Sequence, residues 1–193
     1  MGTFLLILAS ALWGAVHSWV ASLGFKDSVQ RIIGTSGMNW YRLGYNIFSV
    51  ITFLPLLIMT AALPDQPLYA MTEPWSYLAF FLQILAFVVL VIGVLQTDVW
   101  SFIGVRQILG GQMDGSMITG GLYRYVRHPL YTAGLVFIWL TPVMTVNRLV
   151  LYISLTIYIL IGIYFEERKL VREFGDDYLT YRKRTPMLIP LLF

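Results

Sequence analysis

The chain has 193 residues, 58% of them hydrophobic and only 12% charged, with a net charge of +3 and no cysteine. A mean hydropathy of +0.74 excludes an ordinary soluble domain. The lack of cysteine excludes disulfides, thiolate metal sites and a cysteine nucleophile.

A membrane span needs about 20 largely apolar residues, and five segments approach that length. The first, Thr3 to Phe25, lacks a basic leader, carries His17 and two tryptophans, and is followed by Lys26 and Arg31. It reads as a retained helix with its N-terminus outside rather than a signal peptide. The second runs from Gly44 to Leu63 and the third from Ser76 to Gln96.

Residues 97 to 129 follow, with Gly104, Gly110, Gly111, Gly115, Gly120 and Gly121, which predict a compact loop over the membrane surface. No GxGxxG follows a strand and no Walker lysine is present, so the common soluble nucleotide-binding folds are excluded. The fourth and fifth segments, Leu130 to Thr145 and Leu149 to Phe165, are separated only by Val146, Asn147 and Arg148. That spacing predicts a tight helical hairpin.

In the tail, Leu170, Phe174, Tyr178 and Tyr181 recur at helical spacing, which predicts an amphipathic helix broken near Gly175 and ended by Pro186 and Pro190. The fold class is therefore all-α, a polytopic membrane protein of about five transmembrane helices with a cytoplasmic amphipathic tail. Residues 1–193 read as one membrane domain, with three helices in 1–96 and the loop, hairpin and tail in 97–193.

Basic residues set the orientation. Lys26, Arg31, Arg42, Arg106, Arg124 and Arg127 fall in the first and third connections, and six more Lys and Arg residues in the tail; only Arg148 lies on the other side. The tail faces the cytoplasm, at what reads as a bacterial inner membrane, and the basic face meets anionic lipid headgroups. No nucleic-acid motif is present, and the sequence identifies no protein partner.

Two features ask for more than anchoring. Glu166 and Glu167 directly follow an apolar helix, where adjacent carboxylates repel each other unless a cation is near; they pair with Arg124 and Arg127 or bind a ligand's positive group. His128 precedes Pro129 at the start of the fourth segment, where a helix N-terminus favours an anion and Arg127 reinforces that preference. In a hairpin these ends are neighbours. A paired anion and cation are what the amino-acid part of a methionine-derived cofactor presents, and the tyrosines offer faces for a sulfonium or adenine.

RHPLY (Arg127 to Tyr131) followed by EERKLVREFGDDYLTYRKRTPMLIP (Glu166 to Pro190) resembles the integral membrane methyltransferases typified by isoprenylcysteine carboxyl methyltransferase and the phospholipid methyltransferases. HSWVAS, YRLGYNIFSVITFLPLL and TDVWSFIGVRQ resemble the bacterial branch that includes methanethiol S-methyltransferases and NnrU-like proteins. The resemblance implies S-adenosylmethionine bound at the cytoplasmic face. Tyr123, His128, Tyr131, Gly134, Glu166, Glu167, Tyr178 and Tyr181 would hold it. His128 would act as base and Arg127 or Arg124 would stabilise the anion of a small thiol or lipophilic acceptor, for S- or O-methyl transfer.

One position departs from the family pattern RHPxYxG, since Ala133 stands where the glycine is usual and Gly134 follows. Three other readings compete. A haem protein related to the NnrU and zeta-carotene isomerase group would ligate iron through His17 and His128. A sterol-reductase-type enzyme would need a larger helical domain. A scaffold subunit would keep the fold without activity.

Overall fold

The computed structural model describes residues 1–110 and 116–190, so Gly111 and Gly115 of the glycine-rich stretch lie outside the described residues. In chain order the elements are α1 (Gly2–Ala21), α2 (Leu23–Ala62), β1 (Pro67–Ala70), α3 (Trp75–Gln96), α4 (Val99–Ile103), α5 (Val105–Ile108), α6 (Pro129–Trp139), β2 (Val143–Thr145) and α7 (Val146–Arg184). A 3-10 turn at Gly121–Arg124 precedes α6. The protein is an all-α polytopic membrane protein: α1, α2, α3 and α7 are each long and apolar enough to cross a bilayer. Large apolar side chains such as Phe80, Ile84 and Phe87 on α3 are exposed, as lipid-facing positions must be where no water competes for them.

The chain forms two compact units. In the first, α1 and α2 pack antiparallel. Trp13 Nε1 donates to Thr52 Oγ1 at 3.2 Å, His17 Nε2 lies 2.6 Å from Ser49 Oγ, and the Tyr41 hydroxyl donates to the Val20 carbonyl. Ser22 makes the turn by accepting from the Phe25 N–H at 3.3 Å, a side-chain cap for α2. The basic connection around Lys26, Arg31 and Arg42 is thus helical, with a kink at Gly34 where φ is 71°.

The glycine-rich stretch opens with helices α4 and α5 rather than a loop. Gly104, at φ 102°, joins them, and an added Cβ there would stand 2.5 Å from the Leu43 backbone nitrogen. Asn46 Nδ2 donates to the carbonyls of Ile103 at 2.8 Å and Phe102 at 3.1 Å. The start of α7 is tied to the end of α2. The fully buried Asn147 donates through its backbone to Asp65 Oδ1 at 3.0 Å and through Nδ2 to the Leu63 carbonyl at 3.2 Å.

In the second unit α3 and α6 pack antiparallel. Gln83 Nε2 donates to the Phe137 carbonyl at 2.8 Å, Gly93 sits against Leu130, and Gln96 Oε1 accepts from the Leu122 N–H at 3.0 Å. The body of α7 runs antiparallel to α6. Trp139 Nε1 meets Thr156 Oγ1 at 3.0 Å near one end, and Tyr131 meets Glu166 near the other.

The hairpin is present, but its first arm is shorter than expected. The α6 helix has 11 residues, about 16 Å at 1.5 Å per residue, against about 30 Å of hydrocarbon. Residues 143–145 leave the helix to pair as β2 with β1, reinforced by Met71 N donating to the Pro142 carbonyl at 2.8 Å. Val146, Asn147 and Arg148 are the first turn of α7 rather than a loop.

Candidate functional site

Four local rules build the site. Pro129 stands at the first position of α6, with His128 as its cap residue in non-helical geometry, where a missing N–H costs nothing. The apolar face of α7 gives way at Glu166 and Glu167. Gly175 breaks α7 at φ 55° and ψ −128°, a conformation that a side chain opposes. Pro186 then ends the helix and frees the carbonyls of the following strap.

That strap lies along the start of α6. The N–H of Arg127 donates to the Pro186 carbonyl at 2.9 Å and that of His128 to Met187 at 3.2 Å. Thr132 Oγ1 reaches the Leu188 carbonyl at 2.8 Å. The N–H groups just ahead of α6 and the Thr132 hydroxyl are therefore taken by the strap's own carbonyls.

Glu167, only 8% exposed, is the centre of charge. Its Oε1 accepts from Arg127 Nε at 2.7 Å and His128 Nε2 at 3.2 Å, and Oε2 faces Arg182 Nε at 3.5 Å. Burial alone raises its pKa, but the hydrogen bonds from His128 and Arg127 and the guanidinium charge outweigh burial and hold it down to about 2. Arg127 Nη1 also donates to the carbonyls of Thr185 and Arg182, so the guanidinium is locked by planar, multidentate bonding.

Glu166 occupies a different environment. It is half-exposed, accepts from the Tyr131 hydroxyl at 3.0 Å, and lies 3.8 Å from His128 Nδ1. The His128 and Tyr131 rings stack at 5.6 Å. Tyr123 lies on this side too: burial, then the Glu166 charge, raises its phenol pKa. With Nε2 given to Glu167, His128 turns Nδ1 toward Glu166, an orientation enforced by a carboxylate on the opposite ring nitrogen.

Tyr178 is buried at 1% exposure, and its hydroxyl has no well-aligned hydrogen bond. Burial, then the charge of Glu167, raises its pKa. Tyr181, pushed up to about 12 chiefly by burial, donates its hydroxyl to the Tyr123 carbonyl at 2.6 Å.

The sequence-predicted residues Arg127, His128, Tyr131, Glu166, Glu167, Tyr123, Tyr178 and Tyr181 thus come together. Arg124 forms no ion pair with either glutamate, Arg127 taking that place. Gly134 is not drawn into the cluster, and an added Cβ there would meet nothing within 4 Å; Ala133 beside it is buried. His17 belongs to the first unit. Sequence reasoning left out Arg182 and the strap carbonyls of Thr185 to Leu188. Only the tail's helical register hints at Arg182, and backbone acceptors leave no residue-type signal.

An open cleft of about 750 Å³ flanks Glu167, lined by Leu160, Ile163, Tyr164, Val171 and Met187 among apolar and aromatic groups and by Arg127, Arg168, Arg172 and Arg182 among charged ones. Among the described residues no group of His, Asp and Glu is arranged to hold a metal ion.

The NnrU protein family model matches residues 5–190. Methanethiol S-methyltransferase 2 of Bradyrhizobium diazoefficiens is 31% identical over 97% of this chain and 73% of its own length. The methanethiol S-methyltransferase of Pseudomonas deceptionensis is 47% identical over 46% of this chain and 36% of its own. The protein-S-isoprenylcysteine O-methyltransferase of Schizosaccharomyces pombe is 42% identical over 41% of this chain and 35% of its own. No solved structure matches. An antiparallel hairpin carrying RHPLY on one arm and the glutamate pair on the other, matched to one family model over nearly its whole length, makes this chain a member of the NnrU family, alongside relatives named as methyltransferases.

Proposed function

We propose that the protein is an S-adenosylmethionine-dependent methyltransferase that works at the cytoplasmic face of a bacterial inner membrane on a small thiol, with a lipophilic acceptor as the broader class. The observation that carries this is the division of labour between adjacent carboxylates: Glu167 is ion-paired with Arg127 and hydrogen-bonded to His128, whereas Glu166 is half-exposed beside Tyr131 and Tyr123.

The Glu166 side fits the cofactor's cationic part. A carboxylate flanked by phenol rings attracts an ammonium or a sulfonium through charge and ring quadrupole. S-adenosylmethionine would supply an electrophilic methyl group there, to be passed in line to the acceptor's lone pair with the cofactor's neutral thioether as leaving group. The protein's share is alignment and exclusion of water. Glu167 fixes the His128 ring, leaving Nδ1 on the Glu166 side to take the proton of a thiol. Arg127, spent on Glu167 and two carbonyls, holds the architecture and leaves anion stabilisation as a minor role.

Calorimetric titration of the detergent-purified protein with S-adenosylmethionine and its demethylated product, with an absorbance spectrum, tests the reading. Micromolar binding weakened at least tenfold in Glu166→Gln, and methylation of methanethiol, supports it. His128→Gln with full binding and full turnover removes the base role.

Two bound imidazoles would produce a Soret band and turn the assignment to haem. Ser49 Oγ donates to the Tyr45 carbonyl at 2.7 Å, so His17 Nε2 carries the proton in its bond to Ser49 and only Nδ1 keeps a lone pair. Neither cofactor binding nor a Soret band would favour the scaffold reading.

A further inference from the structure

The cleft beside Glu167 carries a charge imbalance that the cofactor does not use. Leu160, Ile163, Tyr164, Glu167, Arg168, Val171 and Arg172 line it, at alternating spacings of three and one along α7, so they form one helix face. The break at Gly175 returns the chain so that Leu179, Arg182 and Met187 line it as well. Four arginines and one glutamate line the cleft, an excess of three positive charges. A sulfonium with an ammonium is poorly served there; an anion is well served.

The arginines differ in availability. Arg127 is buried in its bonds to Glu167 and the strap, but the Arg182 side chain is 52% exposed and its contact to Glu167 is long, at 3.5 Å. Arg168 lies over the Tyr164 ring at 5.6 Å, and Arg172 is exposed one turn further on. The nearby acidic Glu173 pairs with Lys169 at 3.8 Å and does not line the cleft. The apolar wall formed by the exposed Leu160 and Tyr164 continues into the lipid-facing body of α7, whose last apolar turn ends at Phe165. Positive groups thus sit at headgroup depth and apolar groups at chain depth.

From this placement we infer that the cleft is a binding site for an anionic amphiphile drawn from the membrane, its oxyanion headgroup held by Arg168, Arg172 and Arg182 and its apolar chain laid along Leu160 and the Tyr164 ring. Guanidinium forks match a phosphate or carboxylate in a way that single ammonium groups do not. The inference does not depend on methyl transfer, and its test needs no methyl donor.

The experiment is calorimetric titration of the full-length protein in an uncharged maltoside with short-chain phosphatidylglycerol, short-chain phosphatidylcholine and inorganic phosphate. Phosphatidylglycerol should bind at least about tenfold more tightly than either of the others. Arg168→Gln/Arg172→Gln should lose about tenfold in that affinity. Lys169→Gln/Lys183→Gln removes the same charge outside the cleft and should change it by no more than about twofold. Equal losses in the two double variants would overturn the site in favour of diffuse surface attraction. Equal affinity for inorganic phosphate would overturn the lipid assignment, because the apolar wall would then contribute nothing. Equal affinity for phosphatidylcholine would remove the arginines' role.

Discussion

Replacing Glu167 with glutamine keeps the side chain's volume and removes its charge, at the residue where Arg127, His128 and Arg182 converge. Relative to its ordinary value of 4.5, the carboxyl is held at about 2, which corresponds to roughly 3 kcal/mol in favour of the charged form in the folded state. The variant also leaves a guanidinium only 9% exposed without its counter-charge, a change that costs about 3–5 kcal/mol where no other acceptors help. The carbonyls of Thr185 and Arg182 still accept from Arg127, so the expected loss at pH 7 is about 3 kcal/mol.

The sign of the pH effect follows from the lowered pKa. The stabilisation is fully present above the ordinary 4.5 and disappears as pH falls through about 2. The contribution of the Glu167 charge itself is therefore unchanged from pH 8 to pH 5, and the stability gap between wild type and Glu167→Gln should close progressively below that. Reversible unfolding in mixed SDS and maltoside micelles, followed by far-UV circular dichroism, reads the gap at each pH, and the other carboxyls cancel because both proteins carry them. A gap of the same size at pH 3 and pH 7 would refute the reasoning, since the carboxylate's charge would then not be what holds the strap and α6 together.

Two glycines should respond to alanine with losses of different size. At Gly104 the new Cβ would stand 2.5 Å from a backbone nitrogen at φ 102°, whereas at Gly93 its nearest neighbour, at 2.8 Å, is the far end of the Leu130 side chain. Gly104→Ala should lose roughly 2 kcal/mol or more, and Gly93→Ala less than half as much, in the same unfolding assay. Gly175→Ala meets no atom within 4 Å, so its cost is backbone strain of roughly 1–3 kcal/mol, read as earlier proteolysis of the tail than in wild type. Asn147→Ala strips the Leu63 carbonyl of its buried donor and should cost about 1–3 kcal/mol. Asn147→Asp should be no better, because a carboxylate cannot donate to it.

Much of the candidate site was legible in particular residues. Pro129 cannot continue a helix from its N-terminal side, so it marks the start of α6 with His128 as cap. Gly175 stands where the tail's helical register has to break, and adjacent glutamates after an apolar run demand a cation. The strength of these signals comes from their locality: each depends on a residue and its immediate neighbours.

What the sequence by itself determined is the class of the protein, its long apolar helices, the antiparallel hairpin and the chemistry at its mouth, because span length, helical period and the cost of unpaired charge are local quantities. Only tertiary structure decided the rest. The fourth segment stops at Trp139 because residues 143–145 find partners at 67–70, and no local rule states a pairing across that separation. Arg127 rather than Arg124 meets Glu167 because the strap after Pro186 fixes where α6 begins. The difference between Glu166 and Glu167, two identical side chains in succession, arises entirely from the faces of α7 they occupy, one turned toward guanidinium and imidazole in the interior and the other toward phenol rings and the open side.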